Sequence, residues 1–130
     1  MSAVKSHDEN RHNTANRGKE VSELGLRAAE AKLDWLSQKK DWLKQTRTTA
    51  DVHVEAAEAR VELEKAKVAK QKGIKPSDDF DVARFESQWK DKSSDWESAK
   101  SDSQSEEKKT KELEAKWQDL VGQHGKAKGG

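Results

Sequence analysis

The sequence predicts an all-α chain, a long antiparallel two-helix coiled-coil hairpin with disordered polar termini. Three observations predict it. Residues 26–72 contain no glycine or proline and place apolar side chains at alternating steps of three and four, the 3.5-residue period of a helix that lies against another helix. Residues 79–121 repeat the pattern. Between them, Gly73, Ile74, Lys75 and Pro76 supply a stop and a corner.

Composition agrees with an elongated particle. Of 130 residues, 39% are charged and 31% hydrophobic, too polar for a sizeable globular core but sufficient for a seam that needs about two apolar positions in seven. Five tryptophans and the sustained heptads argue against disorder in the middle of the chain. Basic and acidic residues, 26 and 25, are interleaved. Residues 1–18, 19–72 and 73–130 carry about +1, +2 and −2, so the basic face of a nucleic-acid binder is missing. Without cysteine there is no disulfide or thiol chemistry. No apolar leader or membrane-length run occurs, which gives a cytoplasmic location by default.

Residues 1–17 read as a disordered polar tail. His7, His12, Asp8 and Glu9 match no standard metal spacing and are read as solvated. Helix 1 is expected over about 18–72, with Asn16 as a candidate cap and Glu20 and Glu23 in its first turns, where negative charge suits the helix dipole. Its a positions are Leu26, Leu33, Lys40, Arg47, Val54, Val61 and Val68, and its d positions Ala29, Leu36, Leu43, Ala50, Ala57 and Glu64. Thr46, Arg47, Thr48 and Thr49 weaken helix propensity locally. A break there would give a three-helix bundle instead, but the apolar phase crosses the stretch without a shift.

Gly73 sits where a left-handed helix cap is wanted, Ile74 can fold back on Ala69, and Pro76 prevents resumption. The turn is placed at 73–78, with Ser77, Asp78 and Asp79 as candidate N-caps and Asp81 as first-turn charge. Helix 2 is expected over about 79–121, ended by Gly122, with a second disordered tail at 123–130. Its seam reads Val82, Trp89, Trp96, Ser103, Thr110 and Trp117 at a, and Phe85, Lys92, Ala99, Glu106, Leu113 and Leu120 at d. So short a connector forces the helices antiparallel. Facing residue numbers should then add to 153, the preferred register, or 146. Arg47 or Lys40 would meet Glu106 as the register-setting polar contact.

Helix 1 has more apolar surface than one partner needs. Its c positions include Ala28, Trp35, Trp42, Thr49, Ala56 and Leu63, and the tripeptide Asp-Trp-Leu repeats at 34–36 and 41–43. Two indoles one helical step apart in water would form a patch that signals a protein partner. An equally good reading has them lean over the hairpin edge and cover the seam. Trp89, Trp96 and Trp117 belong to the seam itself.

Catalytic and cofactor motifs are missing: no nucleophile elbow, phosphate loop or HExxH occurs, and the two Glu-x-x-His motifs that metal bundles use are not present. The expected function is a non-enzymatic structural or adaptor module, without cofactor or small-molecule substrate, that binds itself or another helical protein through helix 1. The alternative is a peripheral binder of anionic membrane or nucleic acid through the Trp/Lys stretch 35–47. Asp34 and Asp41 dilute the charge of that stretch.

Overall fold

A computed structural model of the chain describes residues 2–76 and 80–129, with side chains described from residue 13 onward. The fold is a helical hairpin: α1 spans Ser2–Gln71, α2 spans Val82–Gly129, and no strand occurs among the described residues. The chain divides into two compact units, residues 1–40 with 108–130, and residues 41–107. In each unit a segment of α1 lies antiparallel to a segment of α2. In the first, Gly25 approaches His124 and Trp35 stacks on Trp117. In the second, Thr49 reaches Ala99, His53 lies on Trp96 and Arg60 lies over Trp89.

The corner between the helices forms as its chemistry demands. Gly73 takes a φ of 70°, which a residue with a Cβ adopts only at a cost. Its N–H donates to Lys70 O at 3.1 Å, and the Ile74 N–H donates to Ala69 O at 2.9 Å, the paired bonds of a Schellman cap. The candidate caps Ser77, Asp78 and Asp79 lie outside the described residues. Asp81, expected as first-turn charge, is itself the N-cap of α2, its Oδ1 accepting from the Ala83 N–H at 3.0 Å. Phe80 packs on Phe85 with ring centroids 6.0 Å apart, so the residues flanking the cap clamp the first turn as a hydrophobic staple.

Three boundaries differ from expectation. α1 begins at Ser2 rather than near Gly18, since residues 2–17 contain neither glycine nor proline and Gly18 keeps a negative φ. α2 begins at Val82 rather than Asp79 and continues past Gly122 to Gly129. A glycine stops a helix by adopting positive φ, and Gly122 does not. The expected unbroken first helix holds and the three-helix alternative falls, because α1 runs continuously through residues 46–49. Thr46 Oγ1 donates to Trp42 O at 2.9 Å and Thr49 Oγ1 to Gln45 O at 2.8 Å, so both hydroxyls find acceptors within the helix.

Candidate docking face

α2 presents the expected stripe. Ala99 and Thr110 are buried, and the other seam residues from Val82 to Leu120 are half-buried. α1 meets it with a different stripe from the expected one. The residues of α1 that lose their solvent in the two units are Ala28 and Ala31, and Ala56, Leu63 and Ala66, at 3–7% exposure. Between these, Trp35 and Gln38, and Trp42, Gln45, Thr49, Val52 and Ala59, are half-buried. They occupy heptad positions c and f. The expected a and d residues Leu26, Leu33 and Leu36 in the first unit, and Leu43, Val54, Val61 and Val68 in the second, remain 43–66% exposed. The two stripes are two residues out of phase. At ~100° per residue that is about 200° of rotation, which puts them on nearly opposite sides of α1.

The physical cause is the size of what α2 offers. Trp89, Trp96, Trp117, Phe85, Leu113 and Leu120 already fill the space between helices. A facing stripe of Leu and Val would overfill it, whereas Ala and Thr leave room for large side chains to interdigitate. In the second unit, Thr49 with Ala99 and His53 with Trp96 add to 148 and 149 rather than 153 or 146, whereas Trp35 with Trp117 in the first adds to 152. The shift from 146 to 148 is the same two-residue change of phase.

Directional contacts hold this alignment. The carbonyl oxygen of Ala99 accepts from Gln45 Nε2 at 3.4 Å and lies 3.1 Å from Thr49 Oγ1, whose single proton is shared between it and Gln45 O. Trp35 and Trp117 stack at 4.9 Å and 13°, and His53 and Trp96 at 4.2 Å and 2°. Cations lie by the indoles: Lys32 by Trp117, Lys39 by Trp35, Arg60 by Trp89 and Lys100 by Trp96, at 4.0–5.8 Å. Such contacts contribute about 0.5–1 kcal/mol at exposed sites. Lys92 Nζ of α2 pairs with Glu55 Oε2 of α1 at 3.1 Å. The hydrogen bond to Glu55 and its charge raise the lysine pKa above its ordinary value, with a smaller push from Asp95, against a lowering by burial.

These placements reassign the sequence-predicted residues. Ala28, Ala56 and Leu63 are buried, while Thr49, Trp35 and Trp42 are half-buried on the side of α1 that faces α2. The expectation that these six form the outward surface therefore fails on geometry. Trp35 is held by Trp117, and its indole Nε1 is buried without an acceptor. Arg47 and Lys40 stand exposed on the outer stripe, so Arg47 is not the seam partner of half-buried Glu106. The outward apolar surface is made instead by the Leu and Val residues expected at the seam. That reversal was hidden by their hydrophobicity; the signal that marks the inner face is the run of small residues at c and f.

No group of His, Asp or Glu suited to a metal ion occurs among the described residues. No helix among them is long and apolar enough to cross a membrane. No protein-family model, curated protein or solved structure matches the chain.

Proposed function

We propose that the chain is a non-enzymatic structural or adaptor module that pairs with a helical protein through the outer a/d stripe of α1, in a cytoplasmic setting. The supporting observation is that Leu43, Val54, Val61 and Val68 of the second unit stand about half exposed at coiled-coil spacing, as Leu26, Leu33 and Leu36 do in the first. Apolar residues repeated in this way on a helix are what a second helix packs against, as knobs into holes. The membrane or nucleic-acid reading of residues 35–47 has less support, because the Trp35 ring is engaged by Trp117.

The test is Val54→Lys/Val61→Lys in one chain. Partner capture or self-association should be abolished while the circular-dichroism melt of the chain at low micromolar concentration stays within a few degrees of wild type. A melt that collapses would place these valines in the hairpin's own core and remove the proposal.

A further inference from the structure

The outer stripe of the second unit, residues 43–68, carries two charges among its apolar positions, Arg47 at a and Glu64 at d. Both are exposed. Their placement restricts what can cover the stripe. A parallel second copy would set Arg47 on Arg47 and Glu64 on Glu64, like charges at seam level that cost several kcal/mol. An antiparallel copy centred between residues 55 and 56 does the reverse.

We propose that this stripe docks on the same stripe of a second copy, antiparallel, with Arg47 of each chain on Glu64 of the other. In that register Leu43 meets Val68 beside the charged pair, and Ala50 and Val54 meet Val61 and Ala57 nearer the two-fold axis. Every seam position between 43 and 68 thus finds its partner inside the same segment, the self-complementarity an isologous interface requires. Moving the register by one heptad sets Arg47 on Ala57, or Glu64 on Val54, and leaves a charge against an apolar side chain.

The inference rests on the docking reading above and deepens it by naming the occupant. Two further features fit. An open apolar depression bordered by Val61, Val68, Ala69 and Ile74 lies at the end of the stripe where Leu43 of the second copy would arrive. Among the described residues Glu64 pairs with Lys67 of its own helix, through Oε1 at 3.6 Å and in solvent, a contact of the kind that contributes little. At the solvated margins Lys44 would approach Lys65, and Asp51 would approach Glu58, like charges that salt screens. The seam pair acts chiefly to fix alignment.

Sedimentation equilibrium at about 150 mM salt, an ionic strength that screens the margins, tests this on wild type, Arg47→Glu, Glu64→Arg and the double variant. Wild type should dimerise at micromolar to tens of micromolar concentration. Each single variant sets two like-charge pairs across the seam and should weaken the dimer about tenfold or more. The double variant restores opposite charges in this register alone, and should return to within about threefold of wild type, a difference below 1 kcal/mol. A wild-type chain that stays monomeric at several hundred micromolar overturns self-pairing, as does a double variant as weak as the singles. If Val54→Lys/Val61→Lys still abolishes association in that second case, the docking face stands and only the register falls.

Discussion

The two long faces of α1 differ in a direction opposite to simple hydrophobicity. The face turned to α2 is built mainly from Ala, Thr, Gln and two Trp, with Leu63 its largest buried aliphatic residue, and it loses most of its solvent. The opposite face is richer in Leu and Val and keeps about half of its exposure. What selects the inner face is fit to a bulky partner: α2 contributes the indoles and α1 contributes the room for them. The surplus hydrophobicity is then left outside, half exposed to solvent.

That contrast is sharpened most by truncating one leucine on each face. Leu63→Ala removes a side chain that is 3% exposed and should destabilise the hairpin by about 2–3 kcal/mol in denaturant titration. Leu33→Ala removes one that is 66% exposed and should stay within about 0.5 kcal/mol of wild type. Equal losses would erase the distinction between the faces. A smaller effect comes from the Lys92–Glu55 pair that ties the inner sides together. Because folding raises the Lys92 pKa, its contribution is complete below the ordinary lysine value of 10.5 and is lost as pH climbs through the higher folded value. Glu55→Gln should bring the Lys92 side-chain titration, followed by NMR, back toward the ordinary value; an unchanged titration would remove Glu55 as its cause.

Much of this architecture was legible in the residues. Gly73 and Ile74 marked the end of α1 correctly because positive φ and the two bonds of the cap are local chemistry. The α2 seam was legible because its large side chains fall on one stripe with no competing second stripe. The choice of face on α1 was not, since two stripes there share one period and differ only in phase. Periodicity ranks them by hydrophobicity, whereas packing ranks them by volume. Asp81 was placed one role away from its own, because several acidic residues precede α2 and only geometry shows which carboxylate reaches the Ala83 N–H. Gly122 resembles Gly73 in sequence but lies where α2 still has seam residues to place, His124 and Ala127, both half-buried. That α1 carries a surplus apolar stripe was legible, but the residues that form it were misplaced.

The inner and outer faces can be told apart directly by disulfide trapping, since the chain has no native cysteine. Thr49→Cys/Ala99→Cys joins positions in contact across the second unit, and Ala50→Cys/Ser103→Cys joins the pair that a Leu/Val seam would have brought together. Under mild oxidation at low micromolar concentration, the first variant should form an intrachain crosslink and the second should remain reduced. An intrachain crosslink in the second variant, with both thiols of the first left free, would mean that α1 turns its Leu/Val stripe inward.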